Sequence, residues 1–310
     1  MYNRHMKPIT EYGTPEWFAN RVKDSLINRG EGFWDFSDSV ILWTDESVKS
    51  YENAQTKDQD AYKMQITDSE SKYLKKIAPN LVSYLPDRIN FIDMGPGTEN
   101  KQDIFIEEIK KTGKEFIYTP VDINKKILNL AVDHMKRYGV TTIPIHSTFE
   151  DMEQFITDKE TPRFLSLGLT FSNFNIEDIL SILKKSLNKN SFAFINTQPR
   201  ERVKEPGSLI KAYSSKYALE LYNLKLKLIG LEIDNKIGNI EVTGDVKVYY
   251  HVKNPSAKAQ GFGIKAGDKI FGFQSMRYPI DFLKSRLEKD FDCKYFDVQD
   301  EYLAVLLEIR

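Results

Sequence analysis

The sequence predicts an α/β protein: a mostly parallel sheet flanked by helices, ending in antiparallel strands, with a second α+β domain beside it. Three observations lead there. Between residues 90 and 197, short apolar runs alternate with helical segments, the pattern of stacked βαβ units. The first of those runs ends in the glycine turn Gly95-Pro96-Gly97. The chain closes on two strand-like runs separated by a short turn, 293–298 and 302–309.

Taken in order, residues 1–67 read as irregular and helical by turns, with the aromatics Phe33, Trp34, Phe36, Trp43, Tyr51 and Tyr62. Aromatic clusters are usually core, and core packing is the favoured reading of Phe33, Trp34 and Phe36 over a ligand-facing one. A helix is predicted over 69–77 and a first buried strand over 90–94. The apolar face made by Ile104, Phe105 and Ile109 predicts the next helix. Strands follow at 116–123, 141–146, 164–169 and 191–197, separated by helices at 126–138, 149–156 and 176–187. After Arg200 the alternation stops. Pro206-Gly207 marks a break, one long helix is predicted over 209–229, and antiparallel strands over 240–242, 246–252 and 269–273. A last helix over 279–287 precedes the closing hairpin.

The bulk numbers narrow the functional classes. The 310 residues suit one large domain or two modest ones. With 44 Lys and Arg against 45 Asp and Glu, the balance gives no general reason to bind nucleic acid or an anionic membrane. The lysines Lys216, Lys225 and Lys227 read as a solvated helix face. The single cysteine, Cys293, excludes an intrachain disulfide and reads as a core residue; the cysteine count suits a reducing, cytoplasmic setting. There is no signal-peptide pattern, and no run of 18 apolar residues to span a membrane. The four histidines, His5, His134, His146 and His251, are scattered, which leaves a transition-metal site little support.

Three stretches carry the chemistry. A glycine turn after the first strand lets backbone approach a ligand at the exposed N–H groups of the next helix. Dinucleotide and S-adenosylmethionine sites both use this device. The third glycine of the dinucleotide fingerprint is replaced by Asn100. Asp122, at the end of the second strand, is placed to accept hydrogen bonds from ribose hydroxyls; an N-cap for the following helix is the competing role. Asn173 lies just past the fourth strand, at the sheet edge where ligands of open α/β sheets bind. It offers both a donor and an acceptor there. A cap for the following helix explains it equally well.

Together these motifs resemble the histidine-specific Nα-methyltransferases of the ergothioneine pathway. Members carry Gly-x-Gly with a lysine four residues on, then Pro-x-Asp, then Leu-Gly-x-Thr-x-x-Asn-Phe. The chain reads Gly95-Pro96-Gly97 with Lys101, Pro120-Val121-Asp122, and Leu167-Gly168-Leu169-Thr170-Phe171-Ser172-Asn173-Phe174. The likeness covers roughly residues 60–200 and continues more weakly to the C-terminus. It implies a Rossmann-like class I methyltransferase sheet, S-adenosylmethionine as cofactor and a small-molecule acceptor. Gly95, Gly97, Lys101, Asp122 and Phe149 fall at the cofactor by this resemblance. Asn173, Tyr213 and Tyr62 (with Thr67 in the same motif) fall at the acceptor.

The chain departs from the family at three places. Thr148-Phe149 stands where members have Asp-Phe. Phe273-Gln274-Ser275 stands where a Glu-x-Ser reads the imidazole, so Ser275 remains and the acid is gone. Tyr250, beside His251, replaces a methionine, and Tyr250 and Ser275 are by the same resemblance expected at the acceptor. A buried imidazole N–H left unpartnered costs on the order of 1–3 kcal/mol, so the expected acceptor is a small amino acid or amine other than histidine. No catalytic base is marked. The alternatives are histidine methylation itself, a cofactor-binding protein without turnover, or another chemistry on the same sheet, such as aminopropyl transfer. The expected organisation is a cofactor core of 68–200 plus 277–310, and an acceptor domain of 1–67 plus 201–276.

Overall fold

A computed structural model describes residues 11–57, 60–98, 101–203, 206–232, 236–242 and 244–310. His5 and Asn100 lie outside the described residues. The strands are β1 (Ile27–Asn28), β2 (Phe33–Asp35), β3 (Arg88–Met94), β4 (Glu115–Asp122), β5 (Ile145–His146), β6 (Arg163–Gly168), β7 (Phe192–Thr197), β8 (Lys236–Val242), β9 (Val246–Val252), β10 (Lys269–Ser275), β11 (Phe291–Gln299) and β12 (Tyr302–Ile309). The helices are α1 (Pro15–Ser25), α2 (Asp45–Thr56), α3 (Asp68–Ser83), α4 (Gln102–Lys111), α5 (Lys125–Met135), α6 (Ile176–Ser186), α7 (Pro206–Tyr213), α8 (Lys216–Lys227), α9 (Ala257–Gly261) and α10 (Ile280–Leu287).

The larger sheet has the order β11-β12-β7-β6-β3-β4-β5. Strands β3 to β7 pair in parallel, and β12 enters antiparallel between β7 and β11. The strand order reverses at β3, between β4 and β6. That is the switch point where open α/β sheets bind ligands at their carboxyl ends. Side chains alternate across this sheet as the pleat requires. Ile92 and Met94 of β3 enter the core packed by α6 and α10, while Ile89 and Phe91 enter the opposite core, packed by α3 and α4. Strand β12 divides the same way, Leu303, Val305 and Leu307 against Tyr302, Ala304 and Leu306.

The smaller sheet runs β1-β2-β10-β9-β8. Its core joins Trp34 and Phe36 to the apolar faces of α7 and α8. Trp34 anchors there by donating its indole N–H to Asp268 at 2.8 Å. Trp34 and Phe36 are therefore interior, and neither lines the cleft described below.

Several elements differ from expectation, each for a local reason. The helix expected over 209–229 is broken into α7 and α8. Ser214 turns its hydroxyl back onto the Ile210 carbonyl at 2.5 Å, and Ser215 caps α8 by accepting from the Ala218 N–H, the competition with helix continuation that serine offers. The third strand shrinks to β5 with a lone bridge from Thr142 to Tyr118, because Pro144 has no N–H to give to a ladder. Residues 149–156 keep only the 3-10 turn Met152–Gln154. In the segment read as irregular and helical, the short strand β2 is recruited by β10 and in turn pairs with β1.

Lys225 is also not a surface residue. It is 1% exposed, donates to the Asp38 and Gly272 carbonyls at 2.8 and 2.9 Å, and sits over the Phe36 ring. Its neighbours on α8 face the core of the smaller sheet, so the lysine must find backbone acceptors there. Burial pushes its ammonium down to about 7.

Candidate active site

The glycine turn is set by backbone conformation. Gly95 and Gly97 have φ of 77° and 68°, in the left-handed region that other residues enter at a cost. A Cβ on Gly95 would stand 3.4 Å from Thr170 Oγ1 and 3.5 Å from Phe149 Cζ. The turn thus lies against the β6 edge and against the residue that the resemblance puts near adenine.

Two adjoining clefts open at this edge, sharing Trp43, Tyr51, Gly95, Thr170 and Asn173 in their walls. The first reaches Glu70, Asp93, Lys101, Tyr62, Tyr213, Phe273, Ser275 and Arg277. The second is lined by Gly97, Asp122, Thr148 and Phe149, among others. The segment before the core covers both. Asn124 donates to the Trp43 carbonyl at 3.1 Å, and Thr98 donates to Gln55 at 2.7 Å. A π-helical turn, Lys63–Thr67, feeds directly into α3. Tyr62, Ile66, Glu70 and Leu74 all line the first cleft, and their four-residue spacing is that of one helix face.

The competing helix-cap roles fall to other residues. Helix α5 is capped by Asn124, which accepts from Lys126 at 2.8 Å and Ile127 at 3.3 Å. Asp122 instead accepts the Asn124 N–H at 2.8 Å. Its carboxyl is buried, and that burial pushes it up to about 7. A buried carboxyl on a cleft wall can satisfy its remaining lone pairs with hydroxyl donors from a ligand. Helix α6 is capped by Asn175, not by Asn173. Asn173 lines both clefts, at their junction.

On the acceptor side, the buried Tyr213 donates to Ser275 Oγ at 3.1 Å, and its ring meets Tyr62 edge-on at 5.8 Å. Phe273 stacks on Tyr222 at 4.9 Å and on Tyr213 at 6.1 Å. Tyr250 is the exception among the residues expected here. It is 2% exposed, packs in the core of the smaller sheet and is absent from both cleft walls. Glycines at 238 and 272 make room for its ring, a packing requirement that a local match to a ligand position does not report.

Sequence reasoning missed Glu70, Asp93, Gln198 and Arg277. Glu70 is buried, pairs with Lys101 and accepts from Asn196 at 2.8 Å. Asp93 takes the Tyr118 hydroxyl at 2.6 Å. Asp93 stands next to the glycine turn in sequence, and the four-residue stripe ending in Glu70 and Leu74 was a readable signal. Gln198 and Arg277 meet only through tertiary contact.

A glycine turn at the switch point, an acid ending β4 and a second cleft meeting the first at Asn173 define a nucleotide-cofactor transferase. The strand order, with its inserted antiparallel β12, belongs to the S-adenosylmethionine-dependent methyltransferases. Residues 38–227 match the family of histidine-specific, S-adenosylmethionine-dependent methyltransferases, and the chain belongs to that family. It is 26% identical over 124 residues to ergothioneine biosynthesis protein 1 of Neurospora crassa, a match over 38% of this chain that spans 14% of that protein's length. Among solved structures, a protein from Pyrococcus horikoshii OT3 superposes with a TM-score of 0.50 at 11% identity, covering 86% of this chain and all of the other. An S-adenosylmethionine-dependent methyltransferase from Clostridium acetobutylicum gives 0.47 at 11% identity, covering 86% and 98%.

Among the described residues there is no group of three or more His, Cys, Asp or Glu that could hold a metal, and no helix is long and apolar enough to cross a membrane.

Proposed function

We propose that the enzyme methylates the nitrogen of a small amino acid or amine other than histidine. The observation that carries this reading is Phe273. By the resemblance it falls where the family's carboxylate reads the imidazole, and it stacks on Tyr213 and on Tyr222 at the cleft wall. An imidazole N–H facing that ring would go unpartnered, a loss on the order of 1–3 kcal/mol.

In this reading Asp122 holds the ribose, Gly95 and Gly97 admit the cofactor to the backbone, Lys101 takes its carboxylate and Phe149 lies at the adenine. Asn173, Tyr213, Tyr62 and Ser275 receive the acceptor. The cofactor when bound supplies an electrophilic methyl. The chain's own work is to aim the amine lone pair and to exclude water. Asn173, at the junction of the clefts, is the side chain best situated to orient that amine. Residues 68–200 with 277–310 act as the cofactor core, and 1–67 with 201–276 as the acceptor domain.

The test is transfer of a labelled methyl group to a panel of amino acids and amines that includes histidine. Turnover on a small amino acid or amine other than histidine, with histidine at background, is the expected result. Histidine turning over at least as well as every other compound would refute the choice of acceptor.

A further inference from the structure

Arg277 follows β10 two residues after Ser275 and lines the first cleft. It is 2% exposed. Nη1 donates to the Ser275 carbonyl at 3.1 Å and to Ser275 Oγ at 3.4 Å, and Nη2 donates to Gln198 Oε1 at 2.9 Å. Nε is buried and has no hydrogen-bond partner. All of these acceptors are neutral. The acid nearest in the network, Asp245, accepts the Arg277 backbone N–H at 2.7 Å but pairs its charge with Arg200 at 3.3 Å. No carboxylate among the described residues forms an ion pair with the Arg277 guanidinium.

A guanidinium cannot shed its proton in a protein. The Tyr213 ring faces the guanidinium at 5.7 Å, but a buried charge is best retained where an opposite charge pairs it, and that counter-charge has only the cleft left to come from. The surrounding donors agree. Ser275 Oγ accepts from both Tyr213 and Arg277, which leaves its own hydrogen to give. The Tyr222 phenol on the same wall, pushed well above its ordinary value by burial, stays a neutral donor. Arg277 and Ser275 line the first cleft and not the second, where Asp122 lies.

We propose that Arg277 is the receptor for a carboxylate carried by the acceptor at its end remote from the methylated nitrogen, so that the acceptor is an amine with an acidic tail. The assignment to the acceptor rests on the proposed function; the anion site itself rests on the unpaired guanidinium. Planar guanidinium and planar carboxylate meet through paired N–H···O bonds. Phe273, Tyr213 and Tyr222 supply apolar surface for the carbon chain between the two ends.

The experiment compares 3-phenylpropionate with its uncharged amide by calorimetry, on the full chain with and without S-adenosylhomocysteine. The acid is expected to bind on the order of tenfold tighter than the amide. Arg277→Gln should erase that preference, and Arg277→Lys should keep part of it. The affinity for S-adenosylhomocysteine should change less than about twofold in either variant. Equal binding of acid and amide, binding of neither, or a preference that survives Arg277→Gln overturns the proposal. So does a large loss of S-adenosylhomocysteine affinity in Arg277→Gln, which would assign the guanidinium to the cofactor. If Arg277→Gln does not fold, the acid-to-amide ratio in the natural chain and in Arg277→Lys decides. Failure of S-adenosylhomocysteine to bind at all would count against the methyltransferase roles alone, and the comparison on the ligand-free chain would still judge the anion site.

Discussion

Glu70 and Lys101 form an ion pair on the wall of the cleft, with the glutamate side chain only 2% exposed. The other carboxylate oxygen accepts from the Asn196 amide. Two elements, α3 and β7, are thereby fastened at the residues that border the ligand space.

Removing Glu70 leaves a cation and an amide without their shared partner. Glu70→Ala is expected to lower unfolding stability by about 3 kcal/mol, measured by denaturant titration. Glu70→Gln keeps an oxygen for Asn196 and should lose less. Equal losses in the two variants would mean that the charge, and not the amide contact, carries the whole effect.

In the proposed role of Asp122 at the ribose, cofactor binding depends on pH. Its folded value of about 7 lies above the ordinary ~3.9 of an unfolded chain. The protonated form therefore favours folding, fully so below about 4, and that contribution disappears as pH rises through 7. Ribose hydroxyls bond best to the ionised form. The affinity for S-adenosylhomocysteine should thus rise between about pH 6 and pH 8. Asp122→Ala should weaken binding at least tenfold, about 1.4 kcal/mol, and remove the pH trend. Calorimetric titration at the two pH values reads both effects.

Lys225 gives the opposite slope. Its folded value of about 7 lies below the ordinary ~10.4. The folded chain releases a proton that the unfolded chain keeps, so stability from this group is fully present above about 10.4 and is lost as pH falls to 7. Lys225→Met should cost about 1–3 kcal/mol near pH 9 by stranding two carbonyls. Near pH 6 the cost should be smaller, since the substitution also removes a buried charge. Thermal unfolding across that range follows the difference, and a pH-independent cost would show that Lys225 keeps its charge when buried.

Gly95→Ala should lose about 1–2 kcal/mol through its left-handed backbone. Contacts of 3.4 and 3.5 Å are ordinary van der Waals distances, so crowding adds little. Because Gly95 borders both clefts, affinity for S-adenosylhomocysteine should fall as well. A variant as stable and as tightly binding as the natural chain would remove the turn from the list of cofactor determinants.

The larger sheet was legible because its information is local. The buried runs of β3, β6 and β7, the glycine turn and the closing hairpin each announce themselves within a few residues, and their order fixes the switch point. Asp122 and Asn173 were legible as candidates because the one ends a strand and the other lies just past one. The helix caps fall instead to Asn124 and Asn175, two residues further along. The smaller sheet was less legible. Strands β1 and β2 are two and three residues long, and β2 joins the sheet through pairing with β10, which no local pattern reports. Tyr250 and Lys225 were misplaced for the same reason, since both are buried by elements distant in sequence. The network of Arg277 with Gln198 and Ser275 joins β7 to the end of β10, and neither segment alone carries a charge pattern that points to it.

The pairing of β2 with β10 also bears on how the molecule comes into being. Trp34 and its anchor Asp268 are 234 positions apart, and Phe36 donates its backbone N–H to Phe271. At roughly 5–20 residues per second on the ribosome, the segment around Trp34 emerges well before β10 exists to bury it. Closing so long a loop is entropically slow, whereas β3 to β7 can assemble from near neighbours. The parallel part of the larger sheet, β3 to β7, is therefore expected to form while the chain is still being made, before β12 and β11 complete it. The aromatic segment near its beginning waits, exposed, as the part of the nascent chain most in need of a chaperone.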